Sequence, residues 1–332
     1  MEKSTLQRNV WEFTDANGDM SYISMTVTLE CNYNCIMCYA GGNCRKSIPF
    51  NLFKQAIDSA KTSGLKKIEL TGGEALLHKD IWEMLEYLHD NDVETLLVSN
   101  GSLITENVAK RLKDLNVHVA VSLHSINKND MEAITNVKGS YESTISGINE
   151  LLKIGYSDSG LILAVRCMTM VQNAEYLYDT WKWAKENHIL FILNRTMECD
   201  RCQKEWIMSK EDLHTLLEKI AADEGQEAIL PFSDNSPCNR FEVGCHIGVD
   251  GKVYPCACID EVAGDINEHD LSYIWNNSEL LQKSKNVRKH IHGPGKECEH
   301  SAECFGCRAV AYGTLNDMFA SDPYCWRYSE SH

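Results

Sequence analysis

The run Cys31-Asn-Tyr-Asn-Cys35-Ile-Met-Cys38 brings three thiols close together, directly after a strand-like segment over residues 22–29. Cysteine thiolates hold [4Fe–4S] clusters, and three of them occupy three corners of such a cube. The spacing C-x3-C-x2-C therefore predicts a cluster with one iron open to a ligand that is not protein. Structural zinc is the alternative, although zinc sites usually combine two C-x2-C pairs and this run does not.

Composition and charge set the class of protein and its partners. The 332 residues are 43% hydrophobic and 24% charged, which is ordinary for a soluble chain with one sizeable core and a smaller domain. The net charge of −16 disfavours a nucleic-acid partner, because phosphate binding needs clustered Lys and Arg. No membrane span or signal peptide is recognisable. We therefore expect a cytoplasmic protein that binds neither nucleic acid nor membrane.

The 15 cysteines of the chain are unevenly distributed. Three lie in residues 31–38 and eight in residues 238–325, and the remaining four are Cys44, Cys167, Cys199 and Cys202. Disulfides are disfavoured in a reducing cytosol, so metal ligation is the better explanation for cysteines grouped in this way. Two separate metal regions are predicted, one towards each end of the chain.

Strand-like and helix-like segments alternate from residue 22 to residue 194. The predicted strands are 22–29, 68–71, 94–99, 118–123, 161–166 and 189–193. Helical spacing between them gives six βα units, and such alternation implies a parallel sheet with right-handed crossovers. The fold class predicted is α/β, as a partial (β/α)6 barrel of the TIM type. Periodicity alone does not separate this barrel from a doubly wound sheet.

Polar residues gather at the carboxyl end of every predicted strand. After the cysteine run, the strand ends carry Thr71-Gly72-Gly73-Glu74, Ser99-Asn100-Gly101, Ser122 and His124, Arg166, and finally Asn194 and Arg195. Barrels place their chemistry at this rim, whereas an open sheet concentrates its site at one switch point. Six polar strand ends therefore favour the barrel.

The cysteine run and the Gly72-Gly73-Glu74 turn together resemble the radical S-adenosylmethionine (radical SAM) family. The resemblance implies that the amino and carboxylate groups of SAM bind the open iron held by Cys31, Cys35 and Cys38. An external donor such as flavodoxin or ferredoxin would supply the electron. SAM is then split into methionine and a 5′-deoxyadenosyl radical, which removes a hydrogen atom from the substrate.

The same resemblance implies which residues bind SAM. The amino group would meet Gly72, Gly73 and Glu74, where glycine lets the cofactor approach the backbone. The residues expected near adenine, ribose or carboxylate are Tyr39, Ser99, Asn100, Ser122 and Arg166. Arg166 needs an anionic partner, which is either the SAM carboxylate or an internal carboxylate such as Glu69. The run Ser122-Leu-His124-Ser departs from the SLDG of many relatives, so a role for His124 is open.

The last third of the chain resembles a SPASM or Twitch domain, the auxiliary-cluster module of many radical SAM enzymes. We expect a radical SAM core over residues 1–205, and a linker helix followed by this cysteine-rich domain over residues 206–332. The opening runs from Cys238 through Gly251 to Cys256, and the ending contains Cys304-Phe-Gly-Cys307. The resemblance implies one auxiliary [4Fe–4S] cluster on Cys238, Cys245, Cys256 and Cys307.

A second auxiliary cluster would use Cys298, Cys304 and Cys325 but lacks an evident fourth cysteine. Gly295 stands where the seven-cysteine SPASM pattern has the first cysteine of its C-x2-C-x5-C-x3-C run, and the last gap is two residues rather than three. Cys258 or His300 would complete the set, or the open position would bind substrate. A single cluster with spare thiols is the alternative.

The reaction suggested by the resemblance is maturation of a ribosomal peptide, by cross-linking, oxidation or epimerisation. Epimerisation would require a hydrogen-donating thiol, and five cysteines are unassigned for that role: Cys44, Cys167, Cys199, Cys202 and Cys258. One alternative is a dehydrogenase or epimerase acting on a small aminosugar or cyclitol. Another is a non-catalytic iron–sulfur protein that transfers electrons.

Overall fold

A single ten-stranded sheet runs through the protein, in the strand order β1-β7-β6-β5-β4-β3-β2-β8-β9-β10. The computed structural model describes residues 6–7, 11, 19–40, 44–225, 238, 240–302 and 304–327. The strands are β1 (Leu6–Gln7), β2 (Tyr22–Thr28), β3 (Lys67–Gly72), β4 (Glu94–Ser99), β5 (His118–Ser122), β6 (Leu163–Thr169), β7 (Leu190–Arg195), β8 (Gly244–Ile247), β9 (Lys252–Tyr254) and β10 (Gly264–Asp265).

Helices follow the barrel strands and make up much of the C-terminal region. They are α1 (Phe50–Thr62), α2 (Ile81–Asp90), α3 (Glu106–Asp114), α4 (Lys128–Thr135), α5 (Ser140–Lys153), α6 (Leu177–Glu186), α7 (Lys210–Asp223), α8 (Arg240–Val243), α9 (Leu271–Asn277), α10 (Glu279–Lys285), α11 (Val287–His290) and α12 (Arg308–Leu315). No helix in the described ranges is both long and apolar enough to cross a membrane.

Strands β2 to β7 are parallel and lie side by side in chain order. A doubly wound sheet reverses its strand order at a switch point, and this sheet does not. The partial (β/α)6 barrel is therefore confirmed, with all six predicted strands present. The last strand extends further than its apolar run, so that Asn194 and Arg195 belong to β7.

Apolar side chains fill both faces of the barrel sheet. On the outer face, the sheet packs against helices through residues such as Phe53 and Ile57 of α1, as their spacing predicts. On the inner face, Leu96, Ala120 and Ala164 of the neighbouring strands β4, β5 and β6 belong to a smaller cluster. This two-sided burial fixes the register of each strand, and with it which residues reach the rim.

The C-terminal region continues the barrel sheet, because β8 pairs in parallel with β2. His246 of β8 fixes this seam: one ring nitrogen lies 2.8 Å from Ser24 Oγ and the other lies 3.1 Å from Thr26 Oγ1. Helix α7 packs on α6, and its apolar face joins the barrel core. The domain boundary at residue 205 stays a prediction, and hydrogen bonding and packing both cross it.

We expect His246 to make stability depend on pH. Burial lowers the pKa of His246 to about 4. Between about pH 4 and pH 6.5 the imidazole is therefore neutral in the folded protein and protonated in the unfolded chain. Stability from this residue is complete above about pH 6.5 and is lost as the pH falls towards 4. Between pH 7.5 and pH 5.5 the wild type should lose about 1 kcal/mol through this group.

Urea unfolding of wild type and His246→Gln at the two pH values tests this expectation. The variant should have a lower unfolding free energy than the wild type at pH 7.5. Its unfolding free energy should also fall less than that of the wild type between pH 7.5 and pH 5.5. His269→Gln, at an exposed position, is the control and should keep the wild-type drop. Equal drops in wild type and His246→Gln would contradict the assignment.

Candidate active site

The cysteine run and the glycine turn are held together backbone to backbone. Gly73 N–H donates to Thr28 O at 2.7 Å, and Glu74 N–H donates to Glu30 O at 2.8 Å. A Cβ on Gly73 would lie 2.4 Å from Glu30 O, and one on Gly72 would lie 2.5 Å from Thr28 O. Both positions therefore require glycine, because any side chain would collide with the backbone that leads into Cys31. This requirement is separate from the close approach of a cofactor that the sequence suggested.

Residues between the cysteines anchor the loop to distant helices. The Tyr33 hydroxyl lies 3.0 Å from three oxygens of α5, belonging to Ser140, Ser143 and Thr144. The backbone of the loop also donates to the end of α4, through Asn34 N–H to Thr135 O at 3.1 Å. Sequence analysis missed Tyr33, since its partners lie more than a hundred residues along the chain.

All three cysteines of the run line one cavity of about 170 Å³ at the carboxyl ends of the strands. The predicted SAM residues that share its wall are Tyr39, Gly72, Gly73, Ser99, Asn100, Ser122 and Arg166. His124, left without a role by the sequence, lines it as well, and burial lowers its pKa to about 4. The wall therefore combines three thiols with hydrogen-bonding side chains and the guanidinium group of Arg166.

Glu74 is the predicted SAM residue that does not line this cavity. Its carboxylate is fully buried and accepts from Ser99 Oγ at 2.9 Å, Asn100 N–H at 2.6 Å and Leu76 N–H at 3.1 Å. Burial raises the pKa of Glu74, and these donors offset the effect in part. The side chain joins the ends of β3 and β4, and its role as a SAM ligand stays a prediction.

Arg166 finds the internal partner that the sequence offered as one alternative. Its two terminal nitrogens lie 3.0 and 2.9 Å from the two oxygens of Glu69. Arg240, at the start of α8, reaches the same carboxylate at 2.9 Å. Burial alone would raise the pKa of Glu69, but the two guanidinium groups lower it to about 2. One carboxylate of the barrel thus bridges two arginines, one of them from the C-terminal region.

The eight cysteines of residues 238–325 divide between two further cavities. A second cavity of about 220 Å³ is bordered by the thiol residues Cys199, Cys238, Cys245, Cys256, Cys258 and Cys307. A third cavity of about 360 Å³ is bordered by Cys298, Cys304 and Cys325. The second cavity shares part of its wall with the first, through Tyr39, Thr71 and Arg166 among others.

Cys245, predicted as a ligand, and Cys258, left unassigned, both border the second cavity but lie in different surroundings. The thiols of Cys256 and Cys258 hydrogen-bond each other, which lowers the pKa of Cys256 to about 7 and raises that of Cys258. Cys245 is almost fully buried, and its Sγ lies 3.9 Å from Met20 Sδ in the barrel core. Alternation along β8 puts Cys245 on the face opposite His246.

The third cavity contains His300 and Gly295 together with its three cysteines. Of the two residues that the sequence offered as a fourth ligand there, His300 is therefore present, and Cys258 lies in the second cavity. Gly295 is held by its N–H, which donates to Ser321 Oγ at 2.7 Å. The two predicted auxiliary groups thus occupy distinct places in the fold.

The thiols of the cysteine run suit metal binding better than independent nucleophilic chemistry. Burial raises the pKa of Cys31, and it raises that of Cys35 to about 12. Buried thiols of this kind lose their protons when a metal binds. Among the described residues, no three Cys, His, Asp or Glu side chains converge as they would around a single ion. A [4Fe–4S] cube is wider than one ion and spreads its thiolates farther apart.

Family comparisons agree with this arrangement of sites. A sequence model of the radical SAM superfamily matches residues 25–184. A model of SPASM, an iron–sulfur cluster-binding domain, matches residues 238–308. The chain belongs to the radical SAM superfamily. As a radical SAM protein with a C-terminal SPASM domain, it uses a [4Fe–4S] cluster and SAM as cofactors, and its SPASM domain binds auxiliary iron–sulfur clusters.

Curated relatives and a solved structure extend over most of the chain. The AdoMet-dependent heme synthase of Methanosarcina barkeri is 26% identical over 91% of this chain and 95% of its own. The mycofactocin maturase MftC of Mycolicibacterium smegmatis is 24% identical over 91% of this chain and 82% of its own. Streptococcus suis SuiB bound to S-adenosylmethionine has a TM-score of 0.72 at 16% identity, covering 93% of this chain and 78% of that chain.

We expect Tyr33→Phe to loosen the cysteine loop without changing any cluster ligand. The change removes a buried hydroxyl with three partners, which should cost about 1–3 kcal/mol of unfolding free energy. Denaturant unfolding and iron content measure the effect. Tyr87→Phe, which removes a hydroxyl bonded to Asp58 at the surface, is the control and should stay near wild type. A decrease in unfolding free energy no larger than that of Tyr87→Phe would contradict the anchoring role of Tyr33.

Proposed function

We propose that this protein is a radical SAM enzyme of ribosomal peptide maturation. It takes an electron from an external donor of the flavodoxin or ferredoxin type. With a [4Fe–4S] cluster held by Cys31, Cys35 and Cys38, that electron would split SAM into methionine and a 5′-deoxyadenosyl radical, which would abstract a hydrogen atom from the peptide. The observation that carries the proposal is the convergence of three cysteines and seven predicted SAM residues on one cavity.

The residues of this chain have distinct roles in the proposal. Cys31, Cys35 and Cys38 hold the cluster, and Tyr33 and the glycine turn keep their loop in place. Ser99, Asn100 and Ser122, which line the same cavity, orient SAM. The proposed substrate position is the second cavity, since it adjoins the first through Tyr39, Thr71 and Arg166 and lies beside the auxiliary cysteines.

Peptide substrates are supported by the relatives rather than by any single residue. One relative is described as a mycofactocin maturase, and the SuiB structure has also been determined bound to the precursor peptide SuiA. Other relatives have different substrates, among them a GTP 3′,8-cyclase of Helicobacter pylori that is 27% identical over 82% of this chain. The choice between cross-linking, oxidation and epimerisation depends on what meets the substrate radical.

We expect the iron- and sulfide-reconstituted protein to form 5′-deoxyadenosine from SAM under anaerobic conditions with dithionite. Mass spectrometry detects the product. Changing Cys31, Cys35 and Cys38 together to Ala should abolish it, because no thiolate then holds the cluster. Cys44→Ala, at a cysteine outside all three cavities, is the matched control and should keep activity. Fully loaded wild type that forms none, with and without candidate precursor peptides, would indicate an electron-transfer protein instead.

The auxiliary ligands give a second, independent expectation. We propose Cys238, Cys256 and Cys307 as ligands in the second cavity, with Cys258 as the fourth thiol favoured by the geometry. Cys258→Ser should then lower auxiliary iron content, and Cys245→Ser should leave it near wild type. Iron analysis and Mössbauer spectra of the two variants decide between them. If auxiliary iron is lost from Cys245→Ser and not from Cys258→Ser, the ligand set predicted from the sequence, with Cys245 as the fourth thiol, is correct.

A further inference from the structure

The second cavity contains buried hydrogen-bonding groups that nothing in the described chain satisfies. Four such atoms belong to residues that line it: Arg166 Nε, Asn194 Oδ1, Thr196 Oγ1 and Arg240 Nε. Each buried polar atom without a partner costs about 1–3 kcal/mol, so native proteins keep few of them. Four in one place, beside a space of about 220 Å³, indicate a built site whose ligand carries both acceptors and a donor.

Charge defines the ligand further. The charged residues of the wall are Glu69, Arg166, Arg195 and Arg240. Arg195 is neutralised by Asp322 at 2.6 Å, and both side chains are buried. Glu69 is the remaining carboxylate and faces both Arg166 and Arg240, at 2.9 Å from each. Among these four side chains one positive charge is left over before any charge on the thiols of the same wall is counted, and a buried surplus of this kind calls for an anion, which is either a cluster or a ligand.

We propose that this cavity recognises a carboxylate of the substrate. The donors of Arg240 and the free Nε of Arg166 bind the carboxylate, and Asn194 and Thr196 bind an N–H or O–H next to it. The proposal rests on the function proposed above and names its substrate class: a molecule with a carboxylate near the reacting carbon, such as a peptide with an acidic or C-terminal residue. A cationic aminosugar would meet an unpaired positive charge there.

Two other anions compete for these arginines. The carboxylate of SAM has access to Arg166, which lines both cavities, while Arg240 lines only the second. An auxiliary cluster carries negative charge, and Arg240 lies two residues from Cys238. The test therefore keeps SAM bound throughout and measures the cluster separately.

The experiment uses the full-length, reconstituted protein with saturating SAM and no reductant, so that SAM stays intact. Calorimetric titration compares N-acetylglycine with its neutral isostere N-acetylglycinamide and with glucosamine. We expect the acid to bind at least tenfold more tightly than the amide, and glucosamine to bind least. Arg240→Gln should weaken acid binding at least tenfold and leave amide binding unchanged. Arg111→Gln, whose guanidinium pairs with Glu86 at the surface, is the matched control.

Thr196→Val provides a second variant that keeps side-chain shape, and it should weaken acid and amide binding alike. Equal binding of acid and amide by wild type would overturn the proposal. So would unchanged acid binding by Arg240→Gln; if that variant instead shows altered electron paramagnetic resonance of the auxiliary cluster, Arg240 is the counter-ion of the cluster. If the protein cleaves SAM but binds the acid no more tightly than the amide, the carboxylate proposal is wrong and the proposed activity stands. Preference for the acid without SAM cleavage overturns only the proposed activity.

Discussion

The close contact between two backbones at the barrel rim is the constraint on which the site depends. Gly72 and Gly73 lie against the chain that leaves β2 with no room for a Cβ, and the N–H groups of Gly73 and Glu74 donate to it at 2.7 and 2.8 Å. Cys31 begins immediately after this contact, so the position of the cluster loop follows from the end of β3. Parallel strands in chain order then bring the ends of β4, β5 and β6 to the same rim, because all their carboxyl ends point one way.

Buried ion pairs connect the barrel to the C-terminal region. Glu69 binds Arg240 of α8, and Arg195 of β7 binds Asp322 near the end of the described chain. Removing one partner of such a pair leaves an uncompensated buried charge, which costs several kcal/mol. The pairs therefore specify how the auxiliary cysteines face the barrel. They also place Arg166 and Arg240 in the wall of the second cavity, which is the substrate position proposed above.

Three groups of cysteines line three cavities, and the groups are not contiguous in sequence. Cys307 joins Cys238 and Cys256, while its close neighbour Cys304 joins Cys298 and Cys325. The turn between them contains Gly306 at a φ of 67°, a backbone conformation that favours glycine. Neighbouring thiols can thus serve different sites, and spacing alone does not assign them. Cys245, on strand β8, borders the second cavity as well and is almost fully buried beside Met20.

The sequence by itself determined the class of fold and the chemistry at its rim. Strand periodicity and the polar residues that end each strand are local properties, and the cysteine run and the glycine turn are local motifs. Their positions in the βα repeat were enough to predict the cavity that they share. Only the tertiary structure decided the partners of Tyr33 and Arg166 and which cysteines border each of the two C-terminal cavities. These depend on contacts between residues far apart in the chain, for which neither spacing nor propensity carries a signal.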